Sequence, residues 1–274
     1  MDFTGFLGND AVKARLSGAF ASGRVAHSYL LCGPAGSGKH TLTRILSAAM
    51  QCEGRSGKIP CGICSGCRKA LEGVHPDIIT VDDPDHKAMT VDPIRAARSD
   101  MFIRPNEGKR KIYIIPRGQD MNESAQNALL KILEEPPEHL MFILATTELH
   151  KVPATILSRC QRFSFKRITP QDIAARLLYV AGQEQIDLTA DGAELLSRLA
   201  DGALRDGLSL LDQCAAVGGT VDSRAVLEAL GLAGNLQTAQ LMEFILSRDA
   251  KGALLQLDQL YQGGKDLSLI HISE

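Results

Sequence analysis

No window of this 274-residue chain holds the roughly 18 uninterrupted apolar residues of a membrane span, which argues against a bilayer-crossing helix. The opening Met1-Asp2-Phe3-Thr4-Gly5 has no basic segment ahead of an apolar core, so it does not read as a secretory signal. The formal net charge is only −2, too small for a global electrostatic attraction to nucleic acid. Low-complexity segments and short tandem repeats are also missing. These absences point to a protein of the reducing cytoplasm, where clustered cysteines serve as metal ligands more often than as disulfides. Apolar residues make up 45 % of the chain, enough for a large core, and the length suits two or three domains.

The strongest local signal is Gly33-Pro34-Ala35-Gly36-Ser37-Gly38-Lys39. It follows an apolar run, Tyr29-Leu30-Leu31-Cys32, and leads into a helical pattern. Strand, glycine loop and helix are the context in which backbone N–H groups and a helix N-terminus hold phosphate oxygens, with Lys39 adding a point charge. A glycine turn without a ligand is the plainer alternative. A Mg²⁺-dependent site needs a hydroxyl directly after the lysine, and this chain has His40 there. Thr41 comes one residue later, turned by about 100° around a helix. A neutral imidazole is a poor ligand for an ion that prefers hard oxygens.

The acidic half of such a site is also missing. Lys111-Ile112-Tyr113-Ile114-Ile115 reads as a buried strand. A hydrolase would follow that strand with an aspartate for Mg²⁺ and a glutamate to orient water. Here Pro116 and Arg117 follow, and the first acid is Asp120. Arg117 either offsets phosphate charge without a metal or is a solvated surface arginine. The nearby basic run of Arg104, Lys109, Arg110 and Lys111 reads as a solvated loop.

Four of the seven cysteines, Cys52, Cys61, Cys64 and Cys67, fall in a C-x8-C-x2-C-x2-C pattern. The residues between them are too polar and glycine-rich to build a core, and Gly62, Ser65 and Gly66 permit tight turns. Four thiolates suit tetrahedral Zn²⁺ in a closed structural site; a redox pair is the competing reading. His75 and His86 are nearby but surplus to a four-cysteine shell. Cys32, Cys160 and Cys214 read as packed thiols.

Hydrophobic periodicity predicts helices at 9–20 (capped by Asn9), 39–50, 92–101 (opened by Asp92-Pro93), 123–134 and 153–157, and strands at 29–32, 78–81, 111–115, 141–145 and 161–165. This alternation implies an α/β core with a parallel sheet covered on both faces. After 169 the pattern is helical only: 170–181, 189–200, 203–216, 222–230, 236–246 and 250–261. Thr169 and Thr189 read as caps, Gly182 and Gly202 as terminators. The expected domains are a core at 1–168 with a cysteine insert at 52–67, a helical domain at 169–217 and an incomplete one at 218–274. Gly263-Gly264-Lys265-Asp266 reads as a turn, and the abrupt end suggests truncation, with a foreign tail from about Leu269.

The phosphate loop, the four cysteines, the segment from Asn127 to Pro137 (NALLKILEEPP), Ala145-Thr146-Thr147 and Ser158-Arg159-Cys160 occur in an order that resembles the AAA+ clamp-loader subunits of bacterial DNA polymerase III, gamma/tau and delta-prime. The resemblance implies an AAA+ core with a zinc-bearing insert, a helical lid and a helical collar. It implies a hetero-pentamer with gamma/tau and delta subunits, which opens a sliding clamp and places it on primed DNA. It assigns Arg159 the role of a finger reaching a neighbour's ATP; a local carboxylate partner is the alternative. Gly33, Gly36, Ser37, Gly38, Lys39, His40 and Thr41 then surround ATP or ADP, Thr146 or Thr147 matches a polar sensor, and Arg205 matches the lid arginine. With His40, Pro116 and Arg117 at the diagnostic positions, the chain is most similar to delta-prime, a stator without hydrolysis of its own. Arg205 is instead a gamma/tau-like feature. A gamma/tau-type motor using Thr41 and Asp120, and a zinc-dependent DNA-binding module with a vestigial phosphate loop, are the other readings.

Overall fold

A computed structural model describes residues 1–54, 57–83, 88–231 and 235–262. His86, the turn expected at 263–266 and the tail from Leu269 lie outside the described residues. Packing divides the chain into two compact units, Met1–Ile168 and a second that begins at Thr169.

In the first unit α1 (Asp10–Ala21) is followed by β1 (Ser28–Cys32), α2 (Lys39–Met50), α3 (Ser65–Glu72) and β2 (Ile78–Thr80). Then come α4 (Asp92–Met101), β3 (Lys111–Ile115), α5 (Glu123–Glu134), β4 (Leu140–Thr146), α6 (Ala154–Leu157) and β5 (Gln161–Ser164). The strands pair in parallel in the order β2-β3-β4-β1-β5, with β5 at one edge. Successive strand residues face opposite layers. Leu30, Tyr113, Phe142 and Leu144 pack with residues of α4, α5 and α6, while Tyr29, Leu31, Ile112, Met141 and Ile143 pack with residues of α1 and α2. Burial on both faces explains why the strands read as continuous apolar runs. Register places Cys32 beside Thr146 and Ser164, so β1, β4 and β5 end at one edge of the sheet. The crevice outside the carboxyl ends is where such sheets bind ligands.

Several local expectations need correction. Asn9 does not cap α1: its backbone is left-handed (φ 53°), and its Oδ1 accepts the N–H of Lys166 at 2.8 Å, tying the chain's start to the end of β5. Asp92 lies inside α4 rather than ahead of it, and Val91, which cannot cap with its side chain, precedes it. The cysteine segment contains a helix, α3, that its polarity concealed. Lys111 is not part of a solvated loop. It is buried, and its Nζ donates to the Oδ1 of Asp100 at 2.7 Å while the Tyr113 hydroxyl donates to the Oδ2 at 2.6 Å. That pair of bonds ties the end of α4 to β3.

The loop ahead of β3 is built around Asp77. Its carboxylate is buried and accepts the backbone N–H groups of Asn106 (2.6 Å), Glu107 (2.9 Å) and Gly108 (2.7 Å). Burial favours the protonated form, but the three donors outweigh it and hold the carboxyl below its usual range. A depressed folded pKa contributes stability above the unfolded value of about 3.9, and that contribution is lost as pH falls through the folded value. Asp77→Asn is therefore expected to cost about 1–3 kcal/mol at pH 7. The gap from the unmodified protein should narrow in acid below about pH 4. Urea unfolding at pH 7 and pH 3.5 checks this, and an equal gap at both pH values contradicts it.

The second unit is helical: α7 (Pro170–Glu184), α8 (Ala190–Leu199), α9 (Leu204–Ala215), α10 (Ser223–Ala229), α11 (Asn235–Leu246) and α12 (Ala250–Gln262). The hydroxyls of Thr169 and Thr189 cap α7 and α8, as their positions suggest. Gly182 does not end α7, which runs on to Glu184 before Gln185 turns left-handed at φ 59°. Gly202 does mark a chain reversal, at φ 80° after α8. The helices α7, α8 and α9 pack on one another, α10 packs on α8, and α11 packs on α12.

Candidate nucleotide pocket and cysteine cluster

The glycine loop leaves β1 at the carboxyl edge of the sheet and enters α2. Gly33 sits where a Cβ would lie 2.7 Å from the Cβ and carbonyl oxygen of Phe165, so no side chain fits. Gly36 and Gly38 have φ of 68° and 92°, a region L side chains rarely adopt, and a Cβ on Gly38 would strike the Phe6 ring at 2.9 Å. Ser37 is buried, and its hydroxyl donates to the Pro34 carbonyl at 2.8 Å, closing the loop. Lys39 folds over the same turn: its Nζ donates to the carbonyls of Gly33 (2.7 Å) and Pro34 (2.6 Å). Burial disfavours its charged form and lowers its pKa. The result is a tight glycine turn ahead of α2 with an ammonium across it, a charge suited to phosphate. His40 and Thr41 are exposed on the first turn of α2.

Arg117 is not the solvated surface arginine that one of the two expectations supposed. Its Nε and Nη2 donate to the Asp82 Oδ1 at 2.9 and 2.8 Å, and Nη2 also donates to the Asp83 carbonyl at 2.5 Å. Asp120 stands 3.7 Å from Nη1. The Arg117 side chain is 29 % exposed and ion-paired, so it is not a solvated arginine. Of the nearby aspartates, Asp82 after β2 and Asp120 after β3 face this guanidinium, and the Asp83 carboxylate accepts the Thr90 hydroxyl at 2.9 Å. The local pattern carried no sign of Asp82, which lies 35 residues upstream. Beside Arg117, Gly118 packs against the Ala145 carbonyl, and the Gln119 Oε1 accepts the Thr147 N–H at 3.4 Å. Thr146 is buried with its hydroxyl accepting the Glu148 N–H at 3.1 Å, whereas Thr147 is exposed.

Arg159 follows α6. Its Nη1 donates to the Thr155 carbonyl at 2.8 Å and contacts the Ser158 hydroxyl at 3.4 Å, and Nη2 donates to the Glu134 Oε1 at 2.9 Å. The local carboxylate considered above thus exists. A guanidinium has five N–H donors, so two, Nε–H and one on Nη2, have no partner among the described residues. Arg205, in the first turn of α9, is exposed and has no polar partner among the described residues.

The four sulfurs of Cys52, Cys61, Cys64 and Cys67 lie within 4.8 Å of one another, with Cys61 and Cys67 3.9 Å apart. Tetrahedral zinc with Zn–S of about 2.3 Å requires sulfurs about 3.8 Å apart, so the cluster fits such an ion. Backbone N–H groups point at the sulfurs: Gly54 and Cys61 at Cys52 (3.3 Å each) and Cys67 at Cys64 (3.4 Å). The Cys64–Cys67 contact doubles as the N-cap of α3. Backbone donors from Cys64 and Ile63 lower the Cys61 thiol to about 6, while burial raises that of Cys67. Gly66 is required for a close approach, since a Cβ there would lie 2.4 Å from the Gln51 carbonyl. His75 is not part of the cluster; its Nδ1 accepts the Asp77 N–H at 3.1 Å.

Comparison with known proteins agrees with this geometry. Residues 8–169 match the family described as DNA polymerase III, delta subunit, and residues 172–220 match the DNA polymerase III clamp loader subunit, ATPase lid domain. The chain is 39 % identical over 267 residues to DNA polymerase III subunit tau of Bacillus subtilis, covering 96 % of this chain and 47 % of that protein. It is 31 % identical to DNA polymerase III subunit gamma of Buchnera aphidicola from Acyrthosiphon pisum, covering 94 % and 71 %. It thus spans less than half the length of the tau relative. The fold is also that of the Thermotoga maritima RuvB Holliday junction branch migration motor, with a TM-score of 0.59 and 18 % identity over 88 % of this chain and 76 % of that one. Among the described residues no helix is long and apolar enough to cross a membrane. With the family match over residues 8–169, the lid match over 172–220 and the gamma relative covered for more than two thirds of its length, the chain belongs to the DNA polymerase III clamp-loader subunits.

Proposed function

We propose that this subunit is a delta-prime-like stator: it holds ATP or ADP without hydrolysing it and lends Arg159 to the ATP of an adjacent subunit. The observation that carries this reading is Arg117. Where an ATPase places a metal-binding aspartate and a water-orienting glutamate, this chain has Pro116 and a guanidinium that already occupies Asp82 and Asp120. The Asp82 Oδ1 cannot serve Mg²⁺ without giving up its two contacts from Arg117, and the Asp120 Oδ2 faces the same guanidinium at 3.7 Å. Gly33, Gly36, Ser37, Gly38 and Lys39 still form a phosphate cradle, with His40, Thr41, Thr147 and Arg205 as its further candidate contacts, so binding survives where turnover does not.

On this reading the subunit works in the cytoplasm in a hetero-pentamer with gamma/tau and delta subunits that loads a sliding clamp onto primed DNA. Residues 1–168 are its AAA+ core, 169–217 its lid and 218–274 the start of its collar. Cys52, Cys61, Cys64 and Cys67 hold a structural Zn²⁺, which supplies cross-linking of the insert and takes no part in chemistry.

Two observations favour a gamma/tau-type motor instead: the relatives compared above carry the names tau and gamma, and Arg205 matches the lid arginine of that class. Gel-filtered subunit incubated with γ-labelled ATP separates the two readings. The stator reading expects nucleotide retained on the protein and phosphate release at the level of a Lys39→Ala control. Steady, Mg²⁺-dependent release that Lys39→Ala abolishes assigns the motor role.

A further inference from the structure

We infer that Glu134 is a positioning residue for Arg159, holding the guanidinium in the orientation in which it meets a neighbour's phosphates. This rests on the reading of Arg159 as a finger. Glu134 is the last residue of α5, whose Ala125, Leu129, Ile132 and Leu133 are buried in the core, and Pro136-Pro137 prevent the helix from continuing. Arg159 follows α6, which packs against α5 and buries Ile156 completely. Both ends of the contact therefore start from fixed backbone.

The bonding leaves the arginine usable. The Thr155 carbonyl, the Ser158 hydroxyl and the Glu134 Oε1 take three of its five N–H donors. Two remain for an anion, so Arg159 can engage phosphate without releasing Glu134. A free arginine side chain carries about 2 kcal/mol of rotamer entropy, and a guanidinium held in advance loses less of it on engagement. The Arg159 side chain is 34 % exposed and that of Glu134 is 47 % exposed, so the pair is accessible and moderate in strength.

The test uses the reconstituted clamp loader and reads ATP turnover stimulated by clamp and primed DNA, with kcat and KM separated. Glu134→Ala is expected to lower kcat about 5-fold with KM for ATP and loader assembly unchanged, the scale of an exposed ion pair. Glu134→Gln keeps an acceptor oxygen and is expected to stay within about 2-fold of the unmodified loader. In an Arg159→Ala background, Glu134→Ala is expected to add nothing, because the group it positions is gone. If Arg159→Ala leaves turnover unchanged, the finger reading falls and this inference with it. If Arg159→Ala is damaging but Glu134→Ala is neutral or raises turnover, the finger stands and Glu134 has no positioning role. Additive losses in the double variant also overturn the inference, since Glu134 would then act elsewhere.

Discussion

Replacing Arg159 with alanine in the reconstituted loader is expected to collapse turnover at the adjacent ATP site while the assembly still forms. A guanidinium offsets charge that develops on phosphate oxygens in the transition state, and fingers of this type contribute about 10³–10⁵ in rate in GTPases. The bulk rate should fall by at least the share of the site that loses its finger. Folding should be little affected, because Arg159 is on the surface and its partner Glu134 is 47 % exposed, so neither charge is stranded in the core. Size-exclusion profiles of the variant loader should therefore match the unmodified one while clamp-stimulated phosphate release drops. Unchanged release would remove the finger role. Loss of assembly together with release would instead make Arg159 an interface residue. Arg159→Lys should recover little, since a lysine keeps the charge but not the forked donors.

The second large effect concerns the cysteine cluster. The reduced protein is expected to carry close to one tightly bound Zn²⁺ per chain by elemental analysis. Removing it should cost on the order of 10 kcal/mol of local stability. Cys52, Cys64 and Cys67 are buried in the insert and form a small cluster of their own with Cys61. Cys64→Ser isolates the metal's contribution. A serine hydroxyl can still cap α3 by accepting the Cys67 N–H, so loss of helix in this variant reports the metal and not the cap. Hydrogen exchange across 61–72 should speed up strongly in Cys64→Ser and in chelator-treated protein. The effect should reach 107–110, because the Lys109 Nζ donates to the Cys52 carbonyl and the Gln51 side chain is bonded to Lys109 and Arg110. Protein that binds no metal when fully reduced, and is indifferent to chelator, contradicts this.

Much of this molecule could be read before its fold was known, because the relevant signals are short-range. Apolar runs such as 111–115 and 141–145 are buried on both faces and announce themselves by composition. Thr169 and Thr189 announce helix starts because a cap is a three-residue interaction. The glycine loop is legible for the same reason: its conformations depend on adjacent residues. What failed was long-range. Nothing near Asn9 signals that its carboxamide serves Lys166, 157 positions away. The charge on Lys111 reads as solvated because Asp100, its partner, is supplied by the preceding helix α4. Arg117 was the consequential case. The sequence exposed the missing acids but not that the replacement arginine gathers in Asp82 from the end of another strand. The polar composition of α3 suggests a loop, while its order derives from the Cys64 cap and a buried face of Cys67 and Ala70.

The proposed stator grips a triphosphate and does not cleave it. The most direct measurement is a single-turnover assay in a loader in which every other subunit's phosphate-loop lysine has been changed to alanine, so that only this chain can hold labelled ATP. With clamp, primed DNA and Mg²⁺ present, the label should remain on intact ATP for the whole time course, at the background set by Lys39→Ala. A burst of labelled phosphate stoichiometric with this subunit, lost in Lys39→Ala, would show that the chain is itself a motor.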